Sequence, residues 1–389
     1  MGINGAEITV LGGGIAGLAC ACALAQRGAR VRVFERAAEL AEVGAGLQLS
    51  PNGLAVLKAL GLAAALRDRG DASAAVVLRA GATGAQLLRM DMAANGFWLA
   101  HRADLIAVLA EGARAAGVEV LTGRAVREVT LEDADARLDM HEGAVVRTGL
   151  LVGADGVRSV LRGVVNGAAA AFFTGQVAWR ALIPATGRAN VAEVFVGPGR
   201  HLVRYPLARR GLVNLVGVEE RSAWAEESWS AEDDPAHFRA AFAGFCAEVR
   251  RDLAAVDRVN LWGLFRHPVA DQWHKGHAAL IGDAAHPTLP FLAQGANLAL
   301  EDAWVLADCL ADRPAGAPVE PALARYQARR ETRVRRAIAA ANGNARNYHL
   351  SRWWETLPAH MALRLLNRTA PSLMVRRFDW LYHHDVTRD

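Results

Sequence analysis

The sequence predicts an α/β fold in which a parallel sheet is combined with an inserted, mainly antiparallel β layer and a C-terminal helical segment. The first 35 residues follow the order strand, glycine-rich turn, helix, strand, which requires a parallel sheet with a right-handed crossover. Several β-like runs succeed one another between residues 166 and 267, which favours a second layer inserted between the halves of the first. Helical patterns dominate from about Asn297 to the C-terminus.

The N-terminal unit is delimited by its apolar runs and by the glycine that ends its helix. Glu7–Leu11 is an apolar run typical of a buried strand, and Ile15–Arg27 has a helical composition. Gly28 suits the C-cap of that helix because glycine adopts the left-handed conformation at little cost. Arg30–Phe34 alternates polar and apolar residues, which predicts a second strand that ends at Glu35.

The later elements are less regular. Gly44–Asn52 is predicted to be a loop that leads into a helix, and Ala278–Ile281 a short buried strand. The strands expected in the inserted layer are Ala178–Ile183, Val191–Val196, His201–Pro206 and Leu212–Glu219.

The composition is typical of a soluble globular protein. Of 389 residues, 52% are hydrophobic and 22% are charged, and no stretch approaches the roughly 18 uncharged apolar residues of a membrane-spanning helix. The N-terminus has no cationic region followed by an apolar run, so a cytoplasmic enzyme is the expected class. Buried thiols are favoured over a disulfide or a zinc site, because no Cys-x-x-Cys pair occurs among Cys20, Cys22, Cys246 and Cys309.

Positive charge is concentrated in the C-terminal region, where residues 313–389 contain 14 Arg and no Lys against 6 acidic residues. Arg325, Arg329, Arg333 and Arg336 recur at helical spacing and therefore share one face, which we expect to be solvated. No interleaved aromatic residues or nucleic-acid-binding motif accompany this charge. A nucleic-acid partner is therefore not predicted.

The glycine-rich motif between the first strand and the first helix predicts a dinucleotide site. Gly12 permits the tight turn, Gly14 lets the backbone approach a pyrophosphate, and Gly17 lets the helix and the strand pack closely. The helix N-terminus adds N–H donors and a positive dipole, and Glu35 can accept hydrogen bonds from a ribose. The motif alone leaves FAD and NAD both open. The predicted site also includes Ile15, Ala16 and Arg36.

Two further turn motifs resemble those of a known family, and this resemblance favours FAD over NAD. One is Gly153-Ala154-Asp155-Gly156-Val157-Arg158-Ser159, and the other is Gly282-Asp283-Ala284-Ala285-His286-Pro287. Together with the N-terminal motif, their order and spacing resemble the single-component FAD-dependent aromatic hydroxylases, the class A flavoprotein monooxygenases. The resemblance implies that Asp155 contacts FAD and helps to hold NAD(P)H. It implies that Asp283 lies on the ribityl chain or ribose of the cofactor.

Two more segments extend the resemblance. His101–Leu105 matches a family segment whose arginine, here Arg102, lies over FAD. The segment 290–297 matches one that starts a helix at the flavin, although the family commonly has Gly where this chain has Ala293. The resemblance implies that donors at this helix start face the flavin pyrimidine ring and stabilise negative charge on reduced flavin. These donors are the backbone N–H groups of Gly295, Ala296 and Asn297.

The resemblance covers about residues 6–310 and, more faintly, 378–385, and it implies the fold of para-hydroxybenzoate hydroxylase. We therefore expect a Rossmann-like FAD-binding domain made of residues 1–70, 100–165 and 268–320. Residues 71–99 and 166–267 would form the substrate domain, and residues 321–389 the C-terminal helical region.

His201 and Tyr205 are the candidate catalytic residues. Positions 201, 203 and 205 share one face of a strand, so the two side chains can reach one pocket. From the residues alone, a histidine and a tyrosine of the protein core are an equally good explanation. Within the family, this segment is most similar to salicylate hydroxylase, 3-hydroxybenzoate 6-hydroxylase and 6-hydroxynicotinate 3-monooxygenase, in which a His and a Tyr so spaced face the substrate phenol.

The resemblance implies a monooxygenase that uses NADH or NADPH as a transient electron donor and O2 as co-substrate. It hydroxylates a small phenolic aromatic or N-heteroaromatic, expected to carry a carboxylate, through a flavin C4a-hydroperoxide. His201 would withdraw the phenol proton, and Tyr205 would position the oxygen or relay the proton.

Two alternatives stay open at this point. One is a flavin reductase of the same fold, such as an isoprenoid double-bond saturase, and the other is a non-catalytic protein that holds FAD.

We expect a small aromatic as the partner, no metal site and no nucleic acid. A monomer and a homodimer both remain open.

Overall fold

Two β-sheets, of six and eight strands, form the framework of the protein. The computed structural model describes residues 2–40, 46–93, 96–168, 170–185, 187, 189–222, 231–370 and 372–389, with the backbone alone at 344–346. The strands are β1 (Glu7–Leu11), β2 (Arg30–Phe34), β3 (Gly46–Leu49), β4 (Asp71–Ala72), β5 (Ala75–Ala80), β6 (Gln86–Asp91), β7 (Trp98–His101), β8 (Glu119–Leu121), β9 (Val126–Leu131), β10 (Ala136–Met140), β11 (Val145–Thr148), β12 (Leu150–Gly153), β13 (Phe172–Pro184), β14 (Val191–Gly197), β15 (Arg200–Leu207), β16 (Leu212–Glu220), β17 (Glu232–Asp233), β18 (Val259–Arg266), β19 (His274–Lys275) and β20 (Ala278–Leu280). The helices are α1 (Ile15–Ala25), α2 (Pro51–Ala59), α3 (Ala63–Arg67), α4 (Arg102–Ala115), α5 (Val160–Asn166), α6 (Pro235–Ala241), α7 (Ala247–Ala254), α8 (Gly295–Ala311), α9 (Glu320–Tyr348), α10 (Trp353–Thr369), α11 (Ser372–Arg376) and α12 (Asp379–Tyr382).

The six-stranded sheet has the order β19-β20-β12-β1-β2-β8. From β20 to β8 the strands run parallel, and β19 is antiparallel to β20. Its central strands are apolar because helices cover both faces of a parallel sheet, and Val10, Val33 and Val152 are fully buried. The α/β fold predicted from the N-terminal unit is confirmed, and α1 ends ahead of Gly28 at φ +93°.

The eight-stranded sheet has the order β17-β18-β13-β16-β15-β14-β5-β6. Its neighbouring strands are antiparallel, apart from the parallel pair β14 and β5. Trp179, Phe195, Phe238 and Phe242 fill one face together with α6 and α7. The opposite face packs against Phe291, in the segment that precedes α8. This second face is therefore turned toward the parallel sheet. The division into domains given by the sequence stays a prediction.

The segment predicted as a loop, Gly44–Asn52, contains strand β3, so that prediction is wrong within the described residues, which begin at Gly46. β3 pairs antiparallel with β7, with Gly46 opposite His101 and Leu49 opposite Trp98. The strand has four residues, and its partner lies about fifty residues away in the chain. A short segment with a distant partner has no local pattern that identifies it as a strand.

The arginine face of α9 is exposed at Arg325, Arg329 and Arg336, as the sequence predicts, but it also makes contacts that the sequence did not predict. Arg329 donates to Asp308 at 2.8 Å, and Arg333 donates to Glu301 at 2.7 and 2.9 Å, both on α8. The guanidinium of Arg336 lies 3.8 Å from the ring centre of Trp380. The basic face therefore docks on acidic and aromatic residues elsewhere in the fold, which the helical spacing alone cannot reveal.

Cys20, Cys22 and Cys309 are buried free thiols, as the sequence predicts, and Cys246 is partly buried. Burial raises the pKa of Cys22 to about 11, so its thiol stays protonated at neutral pH. Within the described ranges, no helix combines the length and the apolar character that crossing a membrane requires.

Candidate active site

The glycine-rich turn has the shape that the sequence motif predicts. Gly12 has φ +102°, and a Cβ atom there would overlap the backbone carbonyl of Ala154. A Cβ atom at Gly17 would overlap the carbonyl oxygen of Gly12. No atom of the described residues lies within 4 Å of a Cβ atom placed at Gly14. Packing therefore requires glycine at positions 12 and 17, and Gly14 leaves the approach to α1 open.

The N-terminus of α1 is available to an anion. Ile15 and Ala16 begin the helix, whose first turn contains no acidic residue and whose N-cap residue, Gly14, has no side chain to cap it. The first N–H groups of a helix have no partner within it and carry the positive end of the helix dipole. This end of α1 can therefore bind the phosphates of a dinucleotide.

Glu35 lies beside the same turn, at the end of β2. Its carboxylate accepts hydrogen bonds from the backbone N–H groups of Gly13 at 2.7 Å and Ala37 at 2.8 Å. These bonds fix the carboxylate next to the phosphate-binding turn, where a ribose could reach it. Arg36, the next residue, is exposed to solvent.

Asp155 organises the loop that packs against Gly12. Its Oδ2 accepts a hydrogen bond from the backbone N–H of Val160 at 2.9 Å, at the start of α5. Burial raises the pKa of Asp155, against the lowering effect of its hydrogen bond with Ser159. The side chain thus holds the loop in place beside the dinucleotide turn.

Asp283 and Arg102 are close enough to influence each other electrostatically. Asp283 lies in the turn Gly282–Ala284 after β20, and its side chain is exposed. Surrounding protein nevertheless raises its pKa, and the charge of Arg102 opposes that rise. Burial likewise lowers the pKa of Arg102, the first residue of α4, and Asp283 opposes the change. Asp283 is thus open to solvent while neighbouring protein partly desolvates its carboxylate.

The start of α8 is tied to β3 and α2 by the side chain of Asn297. Its Oδ1 accepts a hydrogen bond from the backbone N–H of Ser50 at 3.1 Å, and its Nδ2 donates to the carbonyl of Ala293 at 2.9 Å. The amide is therefore occupied within the protein, and only the backbone N–H of Asn297 is left for the predicted flavin contact. Gly295 and Ala296 begin the helix, and no side chain of the described residues caps its N-terminus.

Ala293 adopts a left-handed conformation, with φ 52° and ψ 35°. Among the described residues it is the one non-glycine residue with a positive φ. Such a conformation costs an L-residue roughly 1–2 kcal/mol per residue. The turn that leads into α8 therefore favours glycine, the residue that the resembling family commonly has here.

β15 places His201, Val203 and Tyr205 on the face of the eight-stranded sheet that is turned toward the parallel sheet, as its alternation predicts. Arg204 points to the opposite face, where it pairs with Asp252 at 2.6 Å. The strand thus separates a structural ion pair from two candidate catalytic side chains.

His201 is buried and hydrogen-bonded to a second histidine. Its Nδ1 lies 2.7 Å from Nε2 of His349, and its ring centre lies 5.9 Å from that of Phe291. Burial and then the charge of His349 lower the pKa of His201 well below its usual 6.5. The imidazole is therefore neutral at pH 7 and able to accept a proton.

The Tyr205 ring packs against β3 at Gly46. Arg180, on β13 of the same sheet, lies near Tyr205. A Cβ atom at Gly46 would lie 2.7 Å from the Tyr205 hydroxyl. Burial raises the pKa of Tyr205 to about 12, although Arg180 opposes the rise, so the phenol stays protonated. Burial lowers the pKa of Arg180. Its Nε has no hydrogen-bond acceptor among the described residues, and its guanidinium lies 5.0 Å from the ring centre of Trp262.

Comparison with known proteins shows the family of the chain. A family model described as an FAD binding domain matches residues 5–341. The chain belongs to this FAD-binding family. The 3-amino-4-hydroxybenzoate 2-monooxygenase of Streptomyces platensis is 36% identical, over 97% of this chain and 95% of its own. The 3-hydroxybenzoate 6-hydroxylase of Polaromonas naphthalenivorans is 34% identical, over 99% and 98%. The substrate complex of salicylate hydroxylase has a TM-score of 0.82 at 22% identity, over 99% and 97%.

The chain is thus an FAD-dependent monooxygenase of the aromatic hydroxylase type, and the resemblance inferred from its motifs is confirmed. These relatives favour hydroxylation over the flavin reductase and the non-catalytic protein considered above. The residues of the monooxygenase fit FAD, because the Gly12–Gly17 turn is open at Gly14 and the Asp283 side chain is exposed. The predicted contacts remain a hypothesis: the pyrophosphate would bind at this turn, the adenosine ribose at Glu35, and the ribityl chain or ribose at Asp283, with the flavin ring at the start of α8.

Sequence reasoning missed three residues of the monooxygenase site. Arg180 had no distinguishing signal, because the chain contains many arginines and the alternation of polar and apolar residues in its strand is typical of any half-buried strand. Gly46 was placed in a loop. His349 directly follows a 29-residue helix, and its contact with His201 joins positions 148 residues apart, for which no local signal exists.

Proposed function

We propose that the protein hydroxylates a small phenolic aromatic or N-heteroaromatic carboxylate, with NADH or NADPH as a transient donor and O2 as co-substrate. The observation that carries this proposal is that His201 and Tyr205, both buried, share one face of the eight-stranded sheet with Arg180. FAD, once reduced, supplies the activated oxygen when it is bound.

His201 accepts the phenol proton in this proposal. A base must be unprotonated to act, and the lowered pKa of His201 keeps its imidazole neutral at physiological pH. Loss of the phenol proton raises the electron density of the aromatic ring, which favours its reaction with an electrophilic oxygen. Phe291 belongs to the segment that leads into α8, so its contact with His201 puts the base beside the proposed flavin site.

Arg180 and Tyr205 bind the carboxylate in this proposal, which replaces the role at the phenol oxygen that the resemblance implies for Tyr205. Arg180 is largely desolvated and contacts the Trp262 ring, and an anionic group of the substrate would give this cation a charged partner. Tyr205 keeps its proton and can donate a second hydrogen bond. Four residues of strand separate the Cα atoms of His201 and Tyr205 by roughly 13 Å, which leaves room for one small ring with its hydroxyl toward His201 and its carboxylate toward Tyr205.

Hydroxybenzoates are the favoured substrates within this class. The relatives named for 3-amino-4-hydroxybenzoate and for 3-hydroxybenzoate both match nearly the whole chain. Each substrate named combines a phenol with a carboxylate, the two groups for which His201 and Arg180 are suited. The first compounds to test are therefore 3-amino-4-hydroxybenzoate and 3-hydroxybenzoate.

The test is a screen of aminohydroxybenzoates, hydroxybenzoates and hydroxynicotinates for stimulated NADH and NADPH oxidation, with oxygen uptake, product analysis and a peroxide assay on the same samples. We expect a hydroxylated product in near-equal amount to the reductant consumed for at least one carboxylated phenol. The matched phenol without a carboxylate should be a poorer substrate. Stimulation restricted to uncharged, non-phenolic compounds would overturn the proposal.

A further inference from the structure

His349 and Glu220 link His201 to the protein surface through two hydrogen bonds. Nδ1 of His201 lies 2.7 Å from Nε2 of His349, and Nδ1 of His349 lies 2.9 Å from Oε1 of Glu220. The side chain of His349 is 2% exposed, whereas that of Glu220 is 54% exposed. The chain of polar atoms thus begins at the proposed base inside the protein and ends in solvent.

We infer that His349 and Glu220 form a relay that sets the tautomer of His201 and carries the phenol proton from it to solvent. This inference rests on the proposed function, because it deepens the role of His201 as the base. His349 and Glu220 are positioning residues, since they act through His201.

The carboxylate decides which nitrogen of each ring carries a proton. Glu220 only accepts hydrogen bonds when it is ionised, so Nδ1 of His349 must donate to it. Nε2 of His349 is then the acceptor for Nδ1–H of His201. This leaves Nε2 of His201 unprotonated, in the form that a base requires. The amide nitrogen of Gln176 lies 3.4 Å from Nδ1 of His349, a longer contact than the one to the charged oxygen.

The proton transfers balance in both directions. The phenol proton goes to Nε2 of His201, the Nδ1 proton of His201 goes to Nε2 of His349, and the Nδ1 proton of His349 goes to Glu220, which releases it to water. Each ring ends neutral with its proton on the other nitrogen. Reverse transfer from Nε2 of His201 protonates the product phenolate and restores the first tautomers.

The neighbours of His349 favour neutral rings between transfers. Burial lowers the pKa of His349, Glu220 opposes the change, and Arg200 lowers it further. On the other side, Tyr348 has its ring centre 5.2 Å from that of His201, and burial raises its pKa to about 12. Tyr348 therefore adds no charge, and Arg200 and Glu220 are the charged groups that face His349.

The substitutions Glu220→Gln and His349→Phe test the relay. A glutamine at 220 can either donate or accept, so it no longer specifies the tautomer, and phenylalanine at 349 breaks the chain while it keeps a ring of similar size. The matched control is Glu232→Gln on β17, whose side chain is 66% exposed and pairs with Arg258 on the surface.

The first measurement needs no turnover. In the oxidised holoenzyme, 3-amino-4-hydroxybenzoate is titrated with pH, and the absorbance of its ionised phenol is followed. We expect both variants to raise the pH at which the bound phenol ionises by about one unit. The ratio of product formed to reductant consumed should fall about tenfold, the usual effect of removing a group that orients a histidine. The double variant should match His349→Phe alone, and Glu232→Gln should match the parent.

The second measurement does not depend on the probe. Nitrogen-15 NMR of the histidine rings in substrate-free holoenzyme should show both His201 and His349 protonated at Nδ1, with His349→Phe providing the assignment. Protonation of either ring at Nε2, or a phenol ionisation unchanged in both variants, would overturn the relay. Absence of a hydroxylated product from the parent enzyme with any carboxylated phenol would instead overturn the proposed function.

Discussion

Oδ2 of Asp302 lies 2.5 Å from Nε2 of His286, in the buried contact between α8 and the turn after β20. The same oxygen accepts the backbone N–H of Gly282 at 2.9 Å, and Oδ1 accepts Nε of Arg330 at 2.8 Å. One carboxylate therefore holds the turn that carries Asp283 against helix α8. Burial by itself would raise the pKa of Asp302, but His286 and Arg330 outweigh it and lower this pKa.

Asp302→Asn should destabilise the protein strongly. It leaves the buried Arg330 with Glu301 as its remaining carboxylate, and breaking a buried pair typically costs about 3–5 kcal/mol. Denaturant unfolding of the holoenzyme at pH 7 measures the loss. Asp308→Asn is the control, because its pair with Arg329 is partly exposed and such pairs contribute about 1 kcal/mol or less. Equal losses in the two variants would contradict the assignment.

The contribution of Asp302 should also depend on pH. Its pKa is lower in the folded than in the unfolded protein, so the stabilisation is present above the unfolded value of about 4 and is lost as the pH falls through the folded value. The difference in unfolding free energy between parent and Asp302→Asn should therefore shrink in acid. A difference that is constant down to pH 2 would argue against an ionised Asp302.

Asp283→Ala should weaken the retention of FAD. The proposed bond from a cofactor hydroxyl to this carboxylate contributes about 1.5–3 kcal/mol, which corresponds to a rise in the dissociation constant of roughly 10- to 150-fold. Flavin release on dilution, followed by fluorescence, gives the constant. Asp271→Ala, at a carboxylate that is 96% exposed, should retain FAD as the parent does. Full occupancy of Asp283→Ala after dilution would refute the contact.

Ala293→Gly should stabilise the protein, although most alanine-to-glycine changes destabilise. Relief of the left-handed strain, roughly 1–2 kcal/mol, exceeds the unfolded-state entropy that glycine adds, about 0.4–1 kcal/mol. Ala339→Gly, at an exposed position inside α9, should instead lose about 1 kcal/mol. Denaturant midpoints of the two variants should thus move in opposite directions, and a shift of the same sign would show that Ala293 is unstrained.

His201→Ala should slow hydroxylation by roughly 10²- to 10⁴-fold, the contribution of a positioned acid–base group. Reduction of FAD by NADH or NADPH does not need this base, so it should be largely preserved and more of the reductant should appear as hydrogen peroxide. Tyr205→Phe keeps the ring and should lower coupling less. The measurement is the ratio of product to reductant consumed, and unchanged coupling and turnover in His201→Ala would restrict this histidine to a structural role.

Arg180→Gln should impair the binding of carboxylated substrates specifically. Removing one partner of a buried charge pair costs about 2–5 kcal/mol, so the KM for hydroxybenzoates should rise at least tenfold while that for the matching phenols changes little. Arg258→Gln, at an exposed arginine, is the control. Equal effects of Arg180→Gln on substrates with and without the carboxylate would show that Arg180 does not contact that group.

The sequence by itself determined the dinucleotide turn and the type of fold. Gly17 packs against Gly12, five positions away, and Glu35 follows directly at the end of the next strand, so local spacing identifies the motif. The contact of Gly12 with Ala154 comes from a distant part of the chain. Strand alternation likewise put His201 and Tyr205 on one face without knowledge of what lies opposite.

Only the tertiary structure decided what those side chains meet. His349 reaches His201 across 148 residues, and the arginines of α9 reach acids of α8 about 20 to 30 residues away. Local pattern cannot encode such contacts, because they depend on how distant elements pack, and the same spacing of arginines suits a solvated face or an ion-paired one. The lowered pKa of His201 could not be predicted from the sequence either, because burial and His349, a residue from a distant part of the chain, cause it.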